Sequence, residues 1–166
     1  MKVGGREVTG KFKELSKWNI IDADAQANPL TSFSLPEAVS GVSLNEIYKD
    51  RLATDTFTAG DNVAHYLLVS PGGALTMWHT DFSATSAFYF LAKGCKIFYL
   101  VRPTPNNKKL WSEFTAQERR DIFFGGCASL DGGGCQKIVL TEREAICLPA
   151  GMMHCVETIG TSVAFG

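Results

Sequence analysis

The sequence Leu75-Thr-Met-Trp-His-Thr-Asp-Phe82 is the most informative segment for the fold, because its bulky and β-branched residues predict a β-strand that carries His79 and Asp81. Side chains two positions apart on a strand point to the same side. At a rise of ~3.3 Å per residue, their Cα atoms lie only about 6.6 Å apart. His79 and Asp81 can therefore reach one metal ion from a single strand.

A third ligand is predicted at His154, which follows the apolar run Ala145-Ile-Cys-Leu148 and the turn Pro149-Ala-Gly151. Two imidazoles and one carboxylate are the ligand set of non-haem iron(II) oxygenases. The chain has three histidines, and we interpret the remaining one, His65, as structural. Any single His-x-Asp tripeptide also occurs by chance, so the alternative that these residues bind no metal stays open.

Short β-rich runs separated by turn residues surround this strand. The turns include Pro71-Gly-Gly73 and Lys93-Gly-Cys95. The predicted strands cover residues 63–70, 75–82, 86–91, 96–102, 137–140, 145–148 and 162–165. Many short strands with tight turns predict a sandwich or a barrel.

Three capping-box patterns occur, each a serine or threonine followed three residues later by glutamate, beginning with Ser34-Leu-Pro-Glu37, and the other two predict helices outside the strands. Ser43-Leu-Asn-Glu46 opens a predicted helix over residues 44–52. Thr115-Ala-Gln-Glu118 opens a second, through Ile122 to near Gly125. We expect a mixed, partly helical flank over residues 1–60 and a β core over residues 61–166. The core is expected to be truncated, because Gly166 lies inside a strand-like run.

Composition limits the class of protein. With 166 residues, 45% hydrophobic and 20% charged, the chain is expected to form one globular domain. A net charge of −1 gives no general attraction to nucleic acid or anionic membranes, and no apolar run approaches the ~20 residues of a membrane span. Five cysteines predict free thiols in a reducing compartment. Their Cys-x7-Cys spacings do not match structural zinc sites.

Three polar residues near the motif indicate an anion site. Lys96 shares a strand face with Phe98 and Leu100, and a buried ammonium needs an anion such as a dicarboxylate co-substrate. The alternative is that Lys96 is the exposed first residue of its strand. Thr76 and Tyr89 carry hydroxyls that can bond a carboxylate, although each alone is more often a packing residue.

Taken together, residues 75–89, 93–104 and 146–154 resemble a Jumonji C (JmjC) domain of the JHDM1/PHF8-like branch of histone-lysine demethylases. The resemblance covers about residues 60–166. It implies a mainly β fold, a double-stranded β-helix of the cupin-like jelly-roll type, with accessory helices from the first 60 residues packed outside.

The resemblance assigns roles to seven residues. The implied Fe(II) ligands are His79, Asp81 and His154. The implied contacts to the co-substrate 2-oxoglutarate are Thr76, Tyr89, Lys96 and Asn19, the last from the segment Trp18-Asn-Ile-Ile21.

The implied activity is that of a 2-oxoglutarate-dependent dioxygenase that demethylates N-methyl-lysine on a histone tail, H3 in particular, in the nucleus, with release of formaldehyde. Two alternatives remain open: a protein hydroxylase on the same scaffold, and a non-catalytic chromatin-binding module. Ser83-Ala84 departs from the Gly-Gly common in the family. Its extra atoms could narrow the methyl-lysine channel, which favours the second alternative.

Overall fold

Strands make up most of the chain that the structure, a computed structural model, describes. It describes residues 2–3, 6–7, 20–24, 37, 66–81, 84–117 and 123–166. The strands are β1 (Lys2–Val3), β2 (Arg6–Glu7), β3 (Ile20–Asp24), β4 (Tyr66–Ser70), β5 (Leu75–His79), β6 (Ala87–Val101), β7 (Cys135–Thr141), β8 (Glu144–Leu148) and β9 (Met153–Phe165). One α-helix, α1 (Pro105–Ala116), and short 3-10 turns at Phe124–Gly126 and Leu130–Gly132 connect β6 to β7.

Two long strands, β6 and β9, hold the sheet together. They pair with each other antiparallel, and the order along the main path is β3-β4-β9-β6-β7. Strand β5 also pairs with β9, and β8 also pairs with β6. Every pairing in this sheet is antiparallel. The mainly β fold class predicted from the sequence is confirmed, and the antiparallel pairing is consistent with the predicted jelly-roll.

Alternation along β6 and β9 divides the apolar residues into two clusters. We call the first the inner cluster; it contains Tyr89, Leu91, Phe98, Leu100, Leu140, Leu148, Val156 and Ala164. We call the second the outer cluster; it contains Trp78, Val101, Phe124, Met153 and Cys155. Helix α1 packs on the outer cluster through Leu110, Trp111 and Phe114. The inner cluster is the side on which the predicted site residues lie.

The predicted turn at Lys93-Gly94-Cys95 is wrong, because the two strands expected on either side of it are one continuous strand, β6. Register shifts against β9 occur between Leu91 and Lys93 and between Lys93 and Cys95. Gly94 has a φ of 103° there, a conformation that glycine adopts without steric cost. Its turn-like chemistry therefore produces a bulge within the strand.

The helix start predicted at Thr115 is also wrong, because Thr115 lies in the last turn of α1; residues 118–122, most of the helix predicted to follow, lie outside the described residues. The Thr115 hydroxyl donates to the carbonyl oxygens of Trp111 and Ser112, at 2.9 and 3.2 Å, and so bonds to the preceding turn. The true N-cap is Thr104, whose hydroxyl accepts the Asn107 N–H, with Pro105 in the first turn. The other predicted helix, residues 44–52, lies outside the described residues.

All five cysteines are free thiols, as the sequence predicts. Cys147 is exposed and Cys155 is buried. Among the described residues, no helix has the length and apolar character required to span a membrane.

Candidate metal and co-substrate site

The side chains of His79, Asp81 and His154 converge at one point. Asp81 Oδ1 lies 4.0 Å from His79 Nε2 and 3.7 Å from His154 Nε2. One ligand atom from each residue lies within 4.8 Å of the other two. In the part of the chain that the structure describes, this is the one group of three His, Cys, Asp or Glu side chains placed to share an ion. A single cation placed among the three atoms can contact them all.

Pairing between β5 and β9 brings the two histidines together. His79 and His154 are direct partners in this register, and their ring centroids are 4.1 Å apart. Neighbouring strands lie about 4.8 Å apart, so partner side chains on one face are within reach of a common ligand. Asp81 lies two residues beyond His79, past the end of β5. The strand alternation predicted from the sequence therefore continues as far as the carboxylate.

A bulge in β5 aligns Thr76 with this group. Thr76 pairs with Val156 and His79 pairs with His154, so the two residues between them on β5 lie opposite a single residue on β9. In a regular strand, residues three apart point to opposite faces. The additional residue returns His79 to the face of Thr76. The sequence alone does not predict this bulge.

Both histidines have the same hydrogen bond on the ring nitrogen remote from Asp81. His79 Nδ1 is 2.7 Å from the Met77 carbonyl oxygen, and His154 Nδ1 is 3.0 Å from the Met152 carbonyl oxygen. Because a carbonyl only accepts, each Nδ1 must carry the proton, and each neutral ring presents an Nε2 lone pair. Such second contacts are what orient metal-binding histidines. Sequence reasoning missed them, since their acceptors are backbone atoms.

Burial favours the neutral form of the deeper ring. His154 is 3% exposed. Burial and, secondarily, the His79 ring lower the pKa of His154 below its usual value, against smaller opposing effects of the Met152 carbonyl and Asp81. A neutral imidazole is the form that binds a metal.

Lys96 lies in the inner face of the sheet, and the alternative that it is an exposed strand end is wrong. Lys96 is 2% exposed, and its neighbours on this face, Phe98 and Leu100, are also buried. Its ammonium donates to the Ser70 hydroxyl at 3.0 Å and lies 5.8 Å from the centre of the Tyr89 ring. Burial lowers the pKa of Lys96 to about 8. Among the described residues, no carboxylate forms an ion pair with it.

Two hydroxyls on the same face have no hydrogen-bond partner among the described residues. They belong to Tyr89 and Ser162, and both are buried. Burial raises the pKa of Tyr89, so its phenol keeps its proton and can donate. A buried cation without a counter-ion beside unpartnered donors is costly unless a ligand supplies acceptors. Lys96 and Tyr89 therefore fit a carboxylate ligand that accepts hydrogen bonds from both.

The structure does not place every residue that the sequence singled out. Asn19, His65, Phe82 and Ser83 lie outside the described residues. Ala84 is described, and its N–H donates to the Asp81 carbonyl oxygen at 2.9 Å. Its φ is 52°, which is uncommon for a residue with a side chain. Ser70 was not predicted as a site residue, because a serine at a strand end carries no distinguishing signal.

Proteins of known family are similar to this chain over about two thirds of its length. JmjC domain-containing histone demethylation protein 1 of Cryptococcus neoformans var. neoformans is 32% identical over 117 residues, 69% of this chain. Lysine-specific demethylase 2B of Mus musculus is 36% identical over 105 residues, 63% of this chain. The resemblance predicted from the motifs is confirmed. The chain spans only 13% and 8% of the lengths of these two relatives.

Two further comparisons add little. No protein-family model matches the chain. A solved structure of oxalate decarboxylase from Bacillus subtilis aligns with 61% of this chain and 19% of its own, at a TM-score of 0.41 and 10% sequence identity. A likeness at that distance carries no argument about function.

Proposed function

We propose that this chain, whose sequence is similar to JmjC domain-containing histone demethylases, is an Fe(II)- and 2-oxoglutarate-dependent dioxygenase that demethylates N-methyl-lysine. The observation that carries the proposal is the convergence of His79 Nε2, His154 Nε2 and Asp81 Oδ1. Two imidazoles and one carboxylate on one side of an ion match the ligand set of non-haem iron(II) oxygenases.

Within this proposal, His79, Asp81 and His154 hold Fe(II), and the carbonyls of Met77 and Met152 keep both rings in the tautomer that binds it. Bound iron supplies the activation of dioxygen, which the side chains present cannot perform themselves. The protein positions the three metal ligands and provides a site on the inner, apolar side of the sheet.

The co-substrate contacts follow from the inner-face polar groups. Lys96 pairs with the distal carboxylate of 2-oxoglutarate, and the Tyr89 hydroxyl donates to the same carboxylate. Thr76, which the bulge turns to the face of His79, contributes a further hydroxyl. Asn19 keeps the co-substrate role that the resemblance implies. These assignments explain why Lys96 is buried without an anionic partner, and the Tyr89 hydroxyl without an acceptor, among the described residues.

The substrate class comes from the relatives. Two of them are named as histone or lysine demethylases, so we propose a methylated lysine in a histone tail, H3 in particular, as substrate and the nucleus as location. The proposed domain division, a flank over residues 1–60 and a JmjC core over residues 61–166, follows the extent of the same resemblance.

One assay tests the proposal. Purified protein would be incubated with Fe(II), ascorbate and 2-oxoglutarate and a panel of methylated histone H3 peptides, and the peptides read by mass spectrometry. The expected result is loss of 14 mass units per methyl group, with formaldehyde and succinate formed. A stable gain of 16 mass units would indicate a protein hydroxylase on the same scaffold.

A third outcome would contradict enzymatic activity altogether. If no succinate forms with fresh iron and ascorbate while methylated peptides still bind, the chain is a non-catalytic chromatin-binding module. The matched control is the Asp81→Ala variant, which lacks one proposed metal ligand and should form neither succinate nor formaldehyde.

A further inference from the structure

Ser70 is the residue that contacts the Lys96 ammonium, yet nothing in the proposed chemistry assigns it a role. It ends β4, is fully buried, and accepts a hydrogen bond from Lys96 Nζ at 3.0 Å. It comes immediately before the turn at Pro71-Gly72-Gly73, and its Cα partner across the sheet is Ser162 on β9. Its hydroxyl thus approaches the lysine from a different strand.

The environment of Lys96 explains why this one contact matters. Its partners on the flanking strands are Leu140 on β7 and Thr158 on β9, and neither carries a charge. Tyr89 is the other titratable group that faces the ammonium among the described residues. Because no carboxylate of the described residues pairs with Lys96, the flexible lysine side chain is oriented by the Ser70 hydroxyl.

We propose that Ser70 is a positioning residue for the co-substrate: its hydroxyl holds the Lys96 ammonium so that its remaining N–H groups point to the distal carboxylate of 2-oxoglutarate. This inference rests on the proposed function. An ammonium has three N–H donors; one is bonded to Ser70, and two remain for an anionic ligand. Fixing the lysine before binding removes part of the ordering cost that a free side chain would carry.

The hydroxyl also favours the charged state of the lysine. A hydrogen bond accepted from the ammonium stabilises the protonated form, whereas burial opposes it and lowers the pKa of Lys96 to about 8. Loss of the Ser70 hydroxyl would lower this pKa further. The affinity for a dicarboxylate would then decline at a lower pH than in the unmodified protein.

The test measures 2-oxoglutarate binding by calorimetry with Mn(II) in place of Fe(II), which avoids turnover. Ser70→Ala should weaken the affinity about tenfold at pH 7.5, the size expected for a lost hydrogen bond to a charged group. It should also shift the alkaline decline in affinity to lower pH. Ser70→Thr, which keeps a hydroxyl, should restore most of the affinity. Ser70→Cys, close in volume but a weak acceptor, should behave like Ser70→Ala.

Ser162→Ala is the matched control. Ser162 is also fully buried and lies opposite Ser70, but its hydroxyl has no partner among the described residues. If Ser162→Ala weakens binding as much as Ser70→Ala and with the same pH profile, the effect belongs to buried polarity in general and the inference is overturned.

A double-mutant cycle separates positioning from packing. In a Lys96→Met background, Ser70→Ala should cause no additional loss of affinity, because the group that it orients is gone. An equal loss in both backgrounds would overturn the inference. So would an unchanged affinity in Ser70→Ala when the unmodified protein binds 2-oxoglutarate. If the unmodified protein does not bind 2-oxoglutarate, the proposed function fails together with the inference.

Discussion

At the scale of single residues, the site depends on the direction of three ligand atoms. His79 and His154 each direct Nδ1 at the carbonyl of the residue two positions earlier, at 2.7 and 3.0 Å. Both Nε2 atoms therefore face Asp81 Oδ1. The carboxylate contributes the one formal negative charge of the three ligands. Its loss should therefore lower the affinity for a metal ion more than the loss of either histidine.

Asp81→Ala should reduce the affinity for Mn(II) by more than the roughly 10- to 100-fold cost of losing an outer-shell partner. The fold should remain, with the free energy of unfolding changed by at most about 1 kcal/mol, because Asp81 is partly exposed. Calorimetric titration with Mn(II) and urea unfolding measure both. Asp131→Ala, at an exposed carboxylate near α1, is the control. Normal Mn(II) affinity in Asp81→Ala would contradict the assignment.

Lys96→Met should stabilise the ligand-free protein. Burial lowers the pKa of Lys96 from 10.5 to about 8, so keeping the ammonium charged at pH 7 costs up to about 3 kcal/mol. Between pH 8 and 10.5 the unfolded chain binds more protons, so the stability of the unmodified protein rises with pH. The gain from Lys96→Met should therefore be greatest below pH 8 and should disappear towards pH 10.5.

Urea unfolding at pH 7 and pH 10 measures this gain, and the exposed Lys137→Met provides the control. A gain that is equal at both pH values would show that the charge on Lys96 is not its source. The same variant should bind 2-oxoglutarate more weakly, which is the expected conflict between stability and function at a binding site.

Ala84→Gly should stabilise the protein. Ala84 has a φ of 52°, and a left-handed conformation costs a residue with a Cβ about 1 kcal/mol or more. Glycine adopts it freely, so the free energy of unfolding should rise by roughly 1 kcal/mol. Ala150→Gly, in a turn without positive φ, is the matched control and should not stabilise. Thermal unfolding of both variants measures the difference in stability. Equal effects of the two substitutions would contradict the stabilisation expected from the left-handed conformation at Ala84.

At the scale of elements, irregular pairing positions the site residues. The bulge in β5 places Thr76 and His79 on one face. The register shifts around Gly94 let β6 continue for 15 residues. Lys96 therefore lies in the same strand as Tyr89, and one element supplies both proposed co-substrate contacts.

Gly94→Ala should destabilise the sheet by about 2 kcal/mol or more, because a Cβ there would lie 2.7 Å from both the Thr161 carbonyl oxygen and the Ser162 Cβ, at a φ of 103°. Gly160→Ala is the matched control on the partner strand, since no described atom lies within 4 Å of its added Cβ. Its effect should stay within about 0.5 kcal/mol. Chemical unfolding measures both, and similar losses would contradict the close approach of β6 and β9 at Gly94.

At the scale of the whole molecule, the two faces of the sheet differ in what they bury. The outer cluster binds α1 and the turns around Phe124, which closes one face of the sheet by apolar packing. The inner cluster shares its face with Ser70, Lys96, Thr158 and Ser162, all buried. Among the described residues, no carboxylate pairs with Lys96 and the Tyr89 hydroxyl has no partner, so a ligand that supplies acceptors should satisfy both groups.

Ligands should therefore raise the stability of the whole domain. At a concentration 100-fold above the dissociation constant, a ligand that binds only the folded state adds about 2.7 kcal/mol. We expect Mn(II) with 2-oxoglutarate to raise the unfolding temperature and a chelator to reverse the rise. Differential scanning calorimetry measures it. The same rise in Asp81→Ala would show that the ligands bind elsewhere.

Local features of this protein could be predicted from its sequence. Strand alternation predicted that His79 and Asp81 share a side, and it placed Lys96 on one face with Phe98 and Leu100 while leaving its burial open. The run of short strands indicated the fold class. Each of these rests on a repeat of two residues, which is a property of one segment of backbone. Where local chemistry had two outcomes, prediction failed: Gly94 formed a bulge in place of a turn, and Thr115 ended a helix that it was expected to begin.

The register in which the strands meet could be learned only from the folded sheet. The pairing of His79 with His154, the bulge that aligns Thr76, and the contact between Ser70 and Lys96 all join residues on different strands or alter their register. Register depends on how segments distant in sequence pack together, and a shift of one residue moves a side chain to the opposite face. No property of one segment carries that information, so these contacts arise only when the strands pack against each other.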